Sequence, residues 1–264
     1  MTGLLGEIRR RDRFLWRVGL VHLALATLML VGLAVDGRVI LGLNPWVKPL
    51  KFALSITIYV WTIAWLLGDV RPGSPRSARA ISRGTGVAML VEIAAIAGQS
   101  LRGRASHFNE ATPLDGAIFS AMGTMILLNT LLAGWLLLLY FRCHVPLPRP
   151  RVWGARLGLL VFLAGSAIGG LMVSRGAHAV GVADGGPGLP FVNWSTESGD
   201  LRASHAVGLH ALQVLPILGW ALSRVRSLGD GGATAIVFVL AGAWAAATAL
   251  VLAQALGGRP LLPA

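Results

Sequence analysis

Three stretches of the chain bring together residue types that can do chemistry. The first, Gln99 to Asp115, holds Gln99, Arg102, Ser106, His107, Asn109, Glu110 and Asp115. The second, Asn44 to Lys51, holds Lys48 and Lys51, and the third, Leu189 to His205, holds Asn193, Asp200, Arg202 and His205, with His210 five residues on. Glu92 stands ahead of the first stretch, and Glu92, Gln99 and Ser106 are seven apart, which sets them along one stripe of a helix. Buried carboxyls serve as acids or bases because burial and neighbouring charge tune their proton affinity, the role expected of Glu92, Asp115 and Asp200. Lys48, Lys51, Arg102 and Arg202 can bind an anionic headgroup or stabilise developing negative charge, and Gln99, Asn109 and Asn193 can hydrogen-bond a substrate. His107, His205 and His210, with nearby acids, could hold zinc or iron. His205 and His210 are five apart, about 140° around a regular helix, so they converge only if one lies in an irregular first turn. A haem between His22 and His210 ranks behind a metal ion, because their depths along their helices differ by several ångströms at about 1.5 Å per residue.

These residues must be carried by membrane helices. The chain has 264 residues, 55% hydrophobic and 13% charged, with mean hydropathy +0.70. A soluble domain averages about 25% charged residues and could not hide this much apolar surface. The net charge of +12 comes from short basic clusters between apolar runs, without a continuous basic face, which argues against nucleic-acid binding. A single cysteine, Cys143, excludes an internal disulfide, a CxxC pair and a cysteine-ligated cluster. Seven stretches, near 14–36, 50–68, 83–101, 116–142, 153–174, 203–224 and 233–256, reach the roughly 20 apolar residues that a span needs. We therefore expect one all-α domain over 1–264, a polytopic transmembrane bundle of seven helices with the 175–202 connection as a lid. Of the 23 basic residues, 15 fall on the side of the N-terminus and 8 on the other. By the positive-inside rule this places the N-terminus in the cytoplasm and the C-terminus outside.

In this orientation the polar stretches face outward and descend into the membrane. Glu92 lies about 15 Å below Arg102, near the bilayer middle, where an ionisable group by default faces the bundle interior and serves function. Other polar residues have plainer readings. Ser55, Thr62, Thr124, Asn129 and Gln254 read as glue between helices. Gly165 and Gly169 read as close helix packing, while Lys48, Arg104 and Arg175 could simply snorkel to headgroups. The Asp184-Gly-Gly-Pro-Gly segment lacks the lysine of a phosphate loop and reads as part of the lid. Ser106 adjoins His107, but adjacency in sequence is not the geometry of a nucleophile and its base.

Seven spans suggest microbial rhodopsins, but both lysines lie at the second helix instead of the last, so that family is rejected. The Ser106-His107 pair, the Asp115-Gly that opens the next helix and a later helix with His205 and His210 resemble the progestin/adiponectin receptor and alkaline ceramidase superfamily. That resemblance implies a seven-span zinc hydrolase of a lipid amide. The histidine pair here has one residue too many between its members and lies on helix six. Asn44-Pro-Trp-Val-Lys-Pro-Leu-Lys-Phe, Arg102-Gly-Arg-Ala-Ser-His-Phe-Asn and Phe191-Val-Asn-Trp-Ser are also similar to bacterial polytopic membrane proteins, a likeness that implies no function.

The reading that follows is an enzyme of the bacterial plasma membrane that acts on a lipophilic substrate at the extracytoplasmic face, with metal assistance optional. A transporter or receptor using the same outward cavity is the alternative, and a haem electron carrier is the third. Transport fits less well, since no internal symmetry is visible and the polar residues thin out toward the cytoplasmic half.

Overall fold

The computed structural model describes residues 3–262 and is all-α, 74% helical. Its elements are α1 (Leu4–Arg11), α2 (Arg13–Val35), α3 (Val47–Val70), α4 (Pro75–Leu101), α5 (Pro113–Arg142), α6 (Arg149–Arg175), the short strands β1 (Ala179–Val180) and β2 (Gly199–Asp200), α7 (Leu201–Leu222), a 3-10 turn (Arg226–Leu228) and α8 (Gly229–Leu256). Seven helices, α2 through α8, are long and apolar enough to cross a membrane. Their outward faces carry large apolar side chains such as Leu28, Leu131, Val239 and Leu250, each more than 60% exposed, as hydrocarbon contact requires.

Helix ends follow local chemistry. Asp12 closes α1 and caps α2, its carboxylate accepting from the N–H groups of Phe14 and Leu15 at 3.1 and 2.9 Å. Proline at the first position opens α4, and Gly176 ends α6 in the left-handed conformation. The apolar pattern predicts a start near 83 for α4, but the helix runs back to Pro75 through Arg76 and Arg79, beyond the apolar part. Helix α1, with one buried side chain, Ile8, carries too much charge to register as a span.

The chain forms two compact units, one up to Leu139 and one from Tyr140. In the first, α2, α3 and α4 pack on one another and α1 lies on α2 and α3. Gly19 gives room to Trp61, which stacks on Trp16 at 4.8 Å and donates to the Trp16 carbonyl at 3.3 Å. Most hydroxyls on the spans bond back into their own helix, as Thr62 does to Ile58 and Thr124 to Ser120. Asn129 does join two helices, accepting from the Tyr59 hydroxyl at 2.9 Å.

In the second unit α6 and α7 lie closest. Added Cβ atoms at Gly154, Gly165 and Gly219 would stand 2.6 Å from Leu215 O, 2.7 Å from Gly208 C and 2.3 Å from Pro150 O. The seam is therefore backbone against backbone, as small residues allow between membrane helices. Gly169 faces the His205 ring, and Gly158 leaves space for Pro216 inside α7. Val161, Ala211, Leu215 and Ala241 form the core where α8 joins the pair.

Candidate functional site

The expected site residues fall into two clusters, one in each unit. In the first unit, Lys48 lies in the first turn of α3, Glu92 stands in α4 about 15 Å before its C-cap, and His107 belongs to the α4–α5 loop. The loop is built to present His107. Gly103 has φ +67°, the Arg104 N–H donates to Gln99 O at 2.9 Å, and Asn109 spans the turn by donating to Ala105 O (2.9 Å) and accepting from the Ala111 N–H (3.1 Å). Phe108 takes φ +54°, a left-handed conformation costly for an aromatic residue, and its ring packs edge-on against Phe119 at 5.5 Å. Phe52, Phe108 and Phe119 surround the imidazole at 5.9 to 6.3 Å.

Within that aromatic collar the polar contacts run in a line. The Lys48 ammonium and the Ser106 hydroxyl each lie 3.1 Å from His107 Nδ1. A charged ammonium only donates, so Nδ1 is an acceptor and the neutral ring carries its proton on Nε2. That nitrogen faces Glu92 Oε1 at 3.9 Å. The His107 side chain is 22% exposed and Glu92 only 2%, which puts the imidazole at the rim and the carboxylate behind it. Glu92 Oε2 is buried without a hydrogen-bond partner among the described residues. An unpartnered buried carboxylate oxygen is costly, and an ionisable group at membrane depth by default marks a functional site.

A second network beside it is fully satisfied. Asp115, wholly buried in the first turn of α5, accepts on Oδ1 from Gln99 (2.9 Å) and Arg102 (2.7 Å), and on Oδ2 from Thr112 (2.8 Å). Arg102 also donates to Gln99 Oε1 at 2.5 Å. Gln99, Arg102 and Asp115 thus tie the end of α4 to the start of α5, and with Asn109 they hold the loop that carries His107. Lys51 lies one turn along α3 from Lys48 on the same face. We expect Asp115→Asn to lower the melting temperature in detergent by several degrees, because Arg102 and Gln99 lose a charged acceptor in a buried position. An unchanged melting temperature would remove Asp115 from this positioning role.

The second unit holds Asn193, Asp200, Arg202, His205 and His210. Asp200 caps α7 and accepts from the Arg202 and Ser195 backbone N–H groups (3.0 and 2.8 Å) and from the Arg202 guanidinium (2.6 Å). Arg202 also donates to the Asn193 carbonyl. The stretch expected as a lid is fastened at several points. β1 pairs with β2, and Gly199 lies so close to α8 that a Cβ would sit 1.8 Å from Ala255 O. Asp184 accepts from the His178 ring (2.7 Å) and from the N–H groups of His178 and Ala179. A cleft of about 60 Å³ lined by Asp184, Asn193, Glu197 and Arg202 lies in this loop.

Asp184 makes the fastening sensitive to pH. Burial pushes its carboxyl up, but the His178 ring, the two N–H groups and the His178 charge together hold it well below the usual carboxylate range. A depressed folded value contributes stability that is present above the unfolded value, near pH 4, and is lost as pH falls through the folded one. Amide protection over 178–184, relative to the unfolded chain, is expected to hold at neutral pH and to fall only in strong acid. Asp184→Asn should lower that protection at neutral pH as well; protection unchanged in that variant would contradict the assignment.

The metal expectation is not supported. No group of three or more His, Cys, Asp or Glu among the described residues is placed to hold a metal ion. His205 directs Nδ1 to Gly165 O at 2.8 Å, His210 is exposed on α7, and His107 has an ammonium at its lone-pair nitrogen, which a metal cation would have to displace. His22 is fully buried and turns its two ring nitrogens to Val18 O (2.8 Å) and Met89 O (3.3 Å), an arrangement that leaves no nitrogen facing a haem iron. The sequence points to Ser106 but not to the three phenylalanines. The Ser106-His107 adjacency was visible, but the left-handed Phe108 that folds the aromatic collar around the ring carries no signal in residue type.

No family model matches this sequence, and neither a curated protein nor a solved structure matches it.

Proposed function

We propose that the chain is an acid–base enzyme of the bacterial plasma membrane, N-terminus cytoplasmic, which acts on a lipophilic substrate at the extracytoplasmic face. The observation that carries this reading is Glu92, buried with one carboxylate oxygen unpartnered, behind a partly exposed His107 whose other nitrogen meets Lys48 and Ser106. The roles follow from position. Once the Lys48 ammonium turns from His107 Nδ1 to the substrate, that nitrogen takes a proton from a substrate hydroxyl or amide at the rim, Glu92 stabilises the imidazolium that forms, and Lys48 stabilises the negative charge left on the substrate. The phenylalanine collar suits an apolar substrate body. Gln99, Arg102, Asn109 and Asp115 position the loop, and Lys51 adds positive charge for an anionic headgroup.

The test is to incubate the purified chain in lipid nanodiscs with a total bacterial lipid extract and follow the lipids by mass spectrometry. A lipid species consumed by the native chain and spared by His107→Ala is the expected result. No lipid consumed, together with a solute moved across vesicles in a Glu92-dependent way, would overturn the enzyme in favour of transport.

A further inference from the structure

At the end of the first unit opposite the histidine site lie α1, the starts of α2 and α4 and the end of α3. Nine arginines gather there against three acids, Glu7, Asp12 and Asp69. Each acid is already taken. Glu7 accepts from Arg10 and from Arg11 (2.9 Å), Asp69 accepts from Arg11 (2.6 Å), and Asp12 pairs with Arg71. Six arginines remain, Arg9, Arg13, Arg17, Arg76, Arg79 and Arg83, all exposed and none in an ion pair with an acid among the described residues. They are ordered in rows. Arg13 and Arg17 are four apart on α2, and Arg76, Arg79 and Arg83 follow the three-and-four spacing of one face of α4. Phe14 fills the space over Gly86, which sets the start of α2 against α4.

Two further features suit this end to the headgroup level of a membrane. Trp16 stacks on Trp61, and Arg11 lies over the Trp65 ring at 4.2 Å, the amphipathic aromatic belt of a membrane interface. On α1, Leu4 and Leu5 are 65% and 52% exposed beside the arginines, so the helix has an apolar edge to bury among acyl chains. Free phosphate would use the guanidinium rows but not that edge. We propose that this end of the first unit is a binding site for anionic phospholipid, with the headgroup phosphates on the two arginine rows and the acyl chains against α1. It is separate from the histidine site and does not depend on the function proposed there.

The experiment is native mass spectrometry of the full chain in detergent, titrated with phosphatidylglycerol, phosphatidylcholine or inorganic phosphate. Phosphatidylglycerol should be retained at least about tenfold better than phosphatidylcholine, and less so as salt rises. The triple variant R76Q/R79Q/R83Q should bind it roughly a hundredfold more weakly, at about fivefold per arginine. The charge-preserving R76K/R79K/R83K should stay within a few-fold of the native chain, and R175Q/R259Q, in the second unit, should be unchanged. Equal retention of the two lipids, displacement of phosphatidylglycerol by equimolar phosphate, or full binding by the glutamine triple would each overturn the proposal. Should that triple fail to fold, salt-insensitive binding by the native chain overturns it equally.

Discussion

Glu92→Gln is expected to lower turnover by about 10² to 10⁴-fold, the range that a positioned proton-transfer group contributes. The substitution keeps the size and shape of the side chain and removes only the charge and the proton exchange. Because His107 Nε2 and Glu92 Oε1 are 3.9 Å apart in the resting arrangement, their contact matters most once the ring becomes charged. The loss should therefore fall on kcat, with KM little changed. Folding should not suffer, since the native carboxylate already has one buried oxygen without a partner. Lys48→Met should also slow turnover but raise KM for an anionic substrate, which separates the two roles. Equal activity in Glu92→Gln and the native chain would move the chemistry elsewhere.

The largest effect on stability is expected at the α6–α7 seam. A Cβ at Gly165 would lie 2.7 Å from the Gly208 carbonyl carbon and 2.8 Å from Leu209 N, so Gly165→Leu must push two helix backbones apart. Overpacking of this kind costs about 3 kcal/mol, and the neighbours here are main chain that cannot rotate away. Gly170→Leu, on the same helix but with nothing within 4 Å of its added carbon, is the matched control and should be near neutral. Thermal unfolding in detergent measures both. A Gly165→Leu protein as stable as the control would mean that α6 and α7 are not in backbone contact.

The spans were legible because each is an apolar run of bilayer length, a property of composition alone. What composition hid was helix that is not apolar. The eight residues of α1 and the first two turns of α4 carry arginine at the positions that a hydropathy reading discards. Part of the site was legible for a similar reason. The stripe of Glu92, Gln99 and Ser106 follows from helical periodicity, and the loop with His107 follows that helix directly. Partnership was not legible. Nothing in residue type says that Asp115 spends both oxygens on Gln99, Arg102 and Thr112 while Glu92 keeps one unbonded. Asp200 ahead of an apolar run is itself a legible helix cap, but residue type does not say that His205 belongs to the Gly165 carbonyl. These depend on pairings between distant segments, such as α3 with the α4–α5 loop, that spacing along one helix cannot supply.

The most direct measurement is the ¹⁵N spectrum of His107 in histidine-labelled protein in lipid, assigned by its loss in His107→Ala. With Lys48 donating to Nδ1 and Glu92 facing Nε2, the neutral ring should carry its proton on Nε2, and Lys48→Met should shift the Nδ1 resonance. A proton on Nδ1, or a spectrum indifferent to both Lys48→Met and Glu92→Gln, would contradict the coupling of these three residues on which the proposed chemistry rests.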